Sequence, residues 1–350
     1  MKLIMQKMKL GVSTSRTLIL LALVLLSGCD MQTGEQIIAI EGSTMGTTFH
    51  IQLVEKKQSS EPEKLISQAN ARLESVNSLM STWRENSEIS RFNQSPEQTW
   101  FPLSADTYFV IELAQKISQQ TQGAFDITVG PLVDLWGFGA RASDDQIPDE
   151  AQIKQALAKT GYQHLRLNPK EHKIKKQIPL QINLSAIAKG FAVDQLAELL
   201  DAQGYTAYLV EIGGEIRVRG RKPDGSYWKL AIESPIPQAR QAYQILTLTD
   251  EALATSGDYR NYFENQGQRY SHIIDPTTGK PITHNLESVT VISATTAQAD
   301  ALATALMVMG PERGYAFCEQ QHIAAYFIYK HTNKLIHRST SEIEKYLATN

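Results

Sequence analysis

The chain has 350 residues, of which 42% are hydrophobic and 20% charged, and its formal net charge is −3 at pH 7. That is enough apolar material for a full core, and it excludes a disordered, collagen-like or repeat-array protein. Two cysteines exclude a disulfide scaffold, and the acidic balance argues against nucleic acid as a partner.

Residues 1–28 read as a signal segment. Lys2, Lys7, Lys9 and Arg16 make a basic start without acids, followed by the apolar run LILLALVLL at 18–26. Nine apolar residues cover about half of the roughly 20 that a membrane-spanning helix needs. LSGC, ending at Cys29, resembles the bacterial lipobox, in which that cysteine is lipidated and becomes the mature N-terminus. Asp30 directly after it then implies retention at the inner membrane, facing the periplasm. Lipidation of Cys29 leaves Cys318 as the one remaining thiol, read as a small buried hydrophobe. Residues 29–35 form the lipidated terminus and tether.

Along the rest of the chain, QIIAIEGSTMGTTFHIQLV (36–54) predicts two alternating strands around a Gly/Ser/Thr turn. A helix fits 62–83, with Leu65, Ala69, Leu73, Val76 and Met80 on one face. Ser104 caps a second helix that ends at Gly123, and 150–160 is a short third one. HLRLNPKEHKIKK (164–176) reads as a hairpin turning at Asn168–Pro169. A helix covers 187–203, strands continue through Ala254, and VEIGG (210–214) places two glycines inside a strand, a mark of a bulge or close backbone approach. The chain then returns to strand (288–293), a helix (297–309), a helix from Glu312 and the strand IAAYFIYK. Strands and helices mix without βαβ alternation, so the expected class is α+β, with mixed or antiparallel sheets and flanking helices. No long linker divides residues 36–350, which are read as one catalytic unit.

The sequence contains no dinucleotide-binding G-x-G-x-x-G after a strand, no Walker loop, no H-E-x-x-H, no G-x-S-x-G and no zinc-type cysteine pairs. A catalytic site must therefore be assembled from scattered segments. QADALATALMVMG (298–310) is a helix meant for burial that nevertheless carries Asp300, with Thr304 one turn later on the same face. Two readings stand. The pair offers hard oxygens suited to Mg²⁺, or Asp300 is a first-turn acid after a Thr295 or Thr296 cap. NLSAIAKGFAVDQ (183–195) joins a strand end to a helix start. Its turn carbonyls suit a cation and Lys189 suits a phosphate, while an ordinary capped turn with a surface lysine fits equally. GAFDITVGPLVDLWGFG (123–139) crowds aromatics, glycines and Asp126 into an irregular stretch fit to wall a planar ligand or simply to pack. In YSHIIDPTTGKP (270–281), His272 beside Asp275 is placed either to move a proton or merely to satisfy a hydrogen bond.

Taken in order, GSTMGTT, MSTWRENSEISRFN, GAFDITVGPLVDLWGFG, LSAIAKGFAVDQ, EIGGEI, TSGDYR, HIIDPTTGKP and ADALATALMVMG resemble the ApbE family, the FAD:protein FMN transferases. The resemblance spans about residues 40–330 and implies an ApbE-like (T-fold-like) architecture. It implies Mg²⁺-dependent splitting of FAD, with FMN passed through a phosphoester to a Thr or Ser of a target protein and AMP released. Acceptors in such a family are subunits of Nqr- or Rnf-type redox complexes. A FAD pyrophosphatase giving FMN and AMP, and a flavin-binding lipoprotein without turnover, are the alternative activities. By motif, Met45, Trp83, Ala124, Phe125, Asp126, Asn183, Lys189 and Ile274 fall at FAD-contacting positions. Ala186 (through its carbonyl), Asp300, Ala303 and Thr304 fall at or beside the metal, and His272 and Asp300 at catalytic positions. Three residues depart from the family pattern: Trp83 stands where Tyr is expected, Asn183 where Asp is common, and Thr277 where Arg is frequent.

Overall fold

The computed structural model describes residues 34–56, 61–140, 147–236, 241–259, 261–332 and 334–348. The signal segment and Cys29 lie outside the described residues. The first strands, β1 (Glu35–Thr44) and β2 (Thr47–Lys56), pair as a hairpin that turns at Met45–Gly46. Phe49, Ile51 and Leu53 of β2 alternate inward and are almost wholly buried, which is the period-2 pattern of a half-buried strand.

Helix α1 (Pro62–Met80) buries the apolar stripe expected of it, but ends at Met80, where Ser81 turns extended. A short helix α2 (Glu88–Gln94) and strand β3 (Phe101–Pro102) precede α3 (Ala105–Gln120), which Ser104 caps through the Thr107 N–H. The glycine-rich stretch holds one short helix, α4 (Gly130–Leu135), and α5 (Glu150–Leu157) starts with a capping box on Asp149. Strands β4 (Leu165–Asn168) and β5 (Lys173–Lys176) form the expected hairpin, with β3 alongside.

Helix α6 (Ala188–Ala202) leads to β6 (Tyr208–Ile212) and β7 (Glu215–Arg219). The two glycines, read as a bulge or a close backbone approach, form the turn between these strands, both at positive φ (62° for Gly213, 108° for Gly214), and a Cβ at Gly213 would lie 2.9 Å from Thr47 Cγ2. A two-residue hairpin turn with both positions left-handed is where glycine is favoured over any other residue. Strands β8 (Trp228–Glu233) and β9 (Ala242–Leu248) pair with each other, as do β11 (Tyr262–Asn265) and β12 (Gln268–Ser271). The remaining strands are β10 (Ala252–Gly257), β13 (Leu286–Ser293), β14 (Ala324–His331) and β15 (Lys334–Ser339). Helix α7 (Thr296–Gln321) is broken at Gly310, where φ 76° and the following Pro311 interrupt the ladder as the Gly–Pro pair predicts.

Eight strands make one open antiparallel sheet, in the order β1-β2-β6-β7-β10-β13-β14-β15. The expected α+β class with flanking helices is what the chain adopts, and the sheet does not close into a barrel. One sheet face packs on the helices through Phe49, Val210, Val291 and Phe327, against α1, α3, α6 and α7. The other face, through Val218, Leu253, Ile292 and Tyr326, is covered by β8 and β9. Cys318 is fully buried, and burial pushes its thiol up to about 12, so it packs as an apolar side chain.

Helices α6 and α7 cross tightly near their N-termini. A Cβ added at Gly190 would lie 2.5 Å from the Thr296 carbonyl oxygen, a backbone atom with no room to yield. Gly190→Ala should therefore cost about 1–3 kcal/mol of stability, measured by denaturant unfolding; wild-type stability would contradict this account of the crossing.

Candidate active site

The helix N-termini of α6 and α7 open onto a cleft of about 580 Å³ against the central strands of the sheet. The β7 and β10 strands and the segments 123–139 and 272–276 form its walls. Most of the residues singled out from the sequence meet there: Trp83, Ala124, Phe125, Asp126, Asn183, Ala186, Lys189, His272, Ile274, Asp300 and Thr304 all line it. Two do not. Met45 sits at the β1–β2 turn with φ 50°, packed against the core, and Ala303 is wholly buried on α7.

At the cleft floor lies a charge cluster. Asp300 is 4% exposed and its Oδ2 accepts from the Gly190 N–H at 3.1 Å. Thr295 caps the helix through the Gln298 N–H, but Asp300 is its fifth residue and lies past the first turn, so the reading of Asp300 as a first-turn acid does not hold. Thr304 follows one turn later, its hydroxyl 3.2 Å from that of Ser256 on β10. Lys189, in the first turn of α6, pairs with Glu215 at the start of β7. Glu215 is 2% exposed, and its Oε2 has no hydrogen-bond partner among the described residues.

The ionisation of this cluster follows from burial and mutual charge. Burial lowers the Lys189 ammonium, but the charges of Glu215 and Asp300 outweigh it and hold Lys189 above its ordinary value. Burial pushes both carboxyls up, Lys189 pulls them down, and Asp300 raises Glu215 further. Two buried carboxyl groups thus share one ammonium and are held toward their neutral forms, and a bound cation would favour their ionised forms. Among the described residues no group of three or more His, Cys, Asp or Glu side chains converges for a metal. The donors present are a carboxylate, a hydroxyl and the turn carbonyls around Ala186. These are hard oxygens, of the kind and sparseness that suit Mg²⁺ completed by a ligand's phosphates.

The walls differ in character. Trp83, just past α1, is 67% exposed and presents an open indole face. Asp126 is buried and engaged by the protein: Oδ1 accepts from the Thr128 N–H at 2.7 Å and its hydroxyl at 2.6 Å, and Oδ2 from the Tyr162 N–H at 2.8 Å. It fixes the shape of the 123–139 wall. Asn183 is held in an Asx turn by the Ser185 N–H at 2.9 Å.

His272 follows the β11–β12 hairpin. Its Nδ1 lies 2.9 Å from the Asn261 carbonyl oxygen. A carbonyl can only accept, so Nδ1 carries the proton and Nε2 is left as the ring's acceptor. Burial holds the imidazole below its ordinary value; the Asn261 carbonyl opposes this, and the Lys189 and Arg269 charges add to it. An edge-on contact with Phe138, ring centroids 6.2 Å apart, fixes the ring from the cleft side.

Glu215, Ser256, Asn261 and Phe138 were given no role from the sequence. Glu215 and Ser256 lie within segments quoted above, EIGGEI and TSGDYR, but their inward facing is visible only once the strands are paired.

Fold and site together define an open antiparallel α+β protein with an oxygen-lined cleft where two helix N-termini meet the sheet. The sequence profile of the ApbE family matches residues 45–327. A protein of Vibrio cholerae described as FAD:protein FMN transferase is 44% identical over 330 residues, covering 94% of this chain and 98% of that protein. The solved flavin transferase ApbE from Vibrio cholerae superposes with a TM-score of 0.83 at 42% identity, covering 89% of this chain and all of that one. The Pseudomonas stutzeri flavinyl transferase ApbE, in apo form, gives a TM-score of 0.84 at 39% identity, covering 90% and 98%. The chain belongs to the ApbE family.

Because the fold keeps His272 neutral, its titration midpoint should lie below the unperturbed value of about 6.5, read from ring resonances by NMR. The unfolded chain then takes up this proton before the folded one does, so the contribution to stability is complete above pH 6.5 and declines as pH falls below it. A midpoint above 6.5 would contradict the dominance of burial over the Asn261 contact.

Proposed function

We propose that this protein transfers FMN from FAD to a Thr or Ser hydroxyl of a target protein and releases AMP. The observation that carries the reading is the pair of buried carboxylates around Lys189, set in the cleft that Trp83 and His272 border. Membership of a family whose relatives are described as FAD:protein FMN transferases supports it.

In this reading the open indole of Trp83 stacks on a ring of the dinucleotide. Lys189 faces the pyrophosphate, and the Ala186 carbonyl, Asp300 and Thr304 would hold Mg²⁺ when it is bound. The ion supplies charge neutralisation on the phosphoryl oxygens. The acceptor's hydroxyl oxygen attacks the FMN phosphorus, and its proton passes to His272 Nε2. The new P–O bond forms as the bond to the AMP phosphate breaks, and AMP departs with the electron pair. The chain's work is positioning and electrostatics rather than covalent chemistry.

The acceptors are subunits of Nqr- or Rnf-type redox complexes, and a lipid on Cys29 anchors the protein to the inner membrane on the periplasmic side. The LSGC–Asp30 sequence supports the anchor. Among the described residues no helix is long and apolar enough to cross a membrane.

Asp300→Ala should lower flavin transfer at least a hundredfold, as expected when several kcal/mol of charge stabilisation is lost (about 1.4 kcal/mol per tenfold). Trp83→Phe should weaken FAD binding severalfold and leave turnover at saturating FAD nearly unchanged. The assay is mass spectrometry of a co-expressed acceptor, seeking the added mass of FMN on one Thr or Ser. Unreduced transfer by the Asp300 variant would overturn the site assignment. Release of free FMN with no flavin on the acceptor would identify a hydrolase instead.

A further inference from the structure

Asp194 lies on α6, is 5% exposed, and faces neither the cleft nor solvent. Its Oδ1 accepts from the Thr296 N–H at 2.9 Å and from Arg217 of β7 at 2.7 Å. Its Oδ2 accepts from the Ala297 N–H at 2.9 Å. The Asp194 carboxylate thus holds the two leading amides of α7, which an α-helix leaves without intrahelical partners. Asp300, one turn further along α7, reaches back to the amide of Gly190, at the start of α6. Each helix therefore holds the N-terminus of the other with a buried carboxylate.

The two contacts are not equivalent in consequence. Asp194 is compensated by Arg217 and two backbone amides, and nothing about it calls for a ligand. Asp300 has a single amide donor, is pushed up by burial against the pull of Lys189, and faces the cleft. Rotation or sliding of the α7 N-terminus carries Asp300 and Thr304 with it, and the amides of Thr296 and Ala297 are the part of α7 that Asp194 pins. Gly190 leaves no slack between the helices.

We propose that Asp194 is a positioning residue for the cation site: through the first turn of α7 it fixes where the Asp300 and Thr304 oxygens stand. This rests on the metal assignment made under the proposed function. Residues that orient metal ligands commonly cost about 10–100-fold in metal affinity when altered, and the same range applies here.

The test is Mn²⁺ binding to the full chain in the presence of FAD, read by loss of the free-ion EPR signal, in wild type, Asp194→Asn and Arg217→Gln. Asn keeps the size of the side chain but cannot accept at both oxygens. Asp194→Asn should raise the Mn²⁺ dissociation constant about tenfold or more, and Arg217→Gln should shift it in the same direction by less. FAD affinity without metal, read by flavin fluorescence, should stay within about twofold in both, because a local displacement spares Trp83 and the 123–139 wall. If Asp194→Asn does not fold, the partly exposed Arg217 position carries the test alone. Unchanged Mn²⁺ affinity in the folded variants would overturn the inference while leaving the metal site standing. Equal losses of FAD and Mn²⁺ affinity would reduce Asp194 to a general stabiliser. Absence of Mn²⁺ binding by the unaltered protein would overturn the metal site and the inference together.

Discussion

The arrangement depends on one close crossing, where α6 and α7 meet with no side chain between Gly190 and the Thr296 carbonyl. Backbone contact at that point lets Asp194 and Asp300 each reach the first turn of the opposite helix. Buried carboxylates are expensive unless hydrogen-bonded or paired, and the crossing supplies amides to both. It satisfies Asp194 and Arg217 as a closed unit. Asp300 is left with one amide and a share of Lys189. The fold thereby places an incompletely satisfied carboxyl where a ligand can reach it.

Around that point the division of labour is plain. The sheet supplies rigid walls through Glu215, Thr255 and Ser256, and the helix termini supply the charge. The loops supply the adjustable faces: Trp83 stands open to solvent, while His272 is held by Asn261 and Phe138. Asp126, whose oxygens are occupied by Thr128 and Tyr162, acts as a brace beneath the wall that contains Phe125. A ligand with phosphates and a planar ring meets rigid charge at one end and an exposed aromatic surface at the other.

Much of this was legible in the sequence, for identifiable reasons. The β1–β2 hairpin, the Ser104 cap, the 164–176 hairpin and the Gly310–Pro311 break follow from local rules of alternation, capping and φ restriction, and each is found in place. The bulge reading of VEIGG fails because a two-residue turn and a bulge have the same glycine signature until the partner strand is known. The short helices at 88–94 and 130–135 escaped because they are too brief to show a helical period. Asp300 stood out as an acid in an apolar helix. The same argument applies to Asp194 in GFAVDQLAELL, an acid among apolar helix positions. Glu215 could not be placed, since its burial is set by strands distant in sequence.

The account stands on the proposal that the buried Asp300 carboxyl and the Thr304 hydroxyl hold a hard cation against the dinucleotide. Its most direct test is anomalous diffraction from crystals of the protein soaked with FAD and Mn²⁺. One anomalous peak at coordination distance from the Asp300 carboxylate and the Thr304 hydroxyl, adjoining the FAD pyrophosphate, is the result the account predicts. FAD seated in the cleft with no ion at Asp300, or with the ion bound elsewhere, would contradict it.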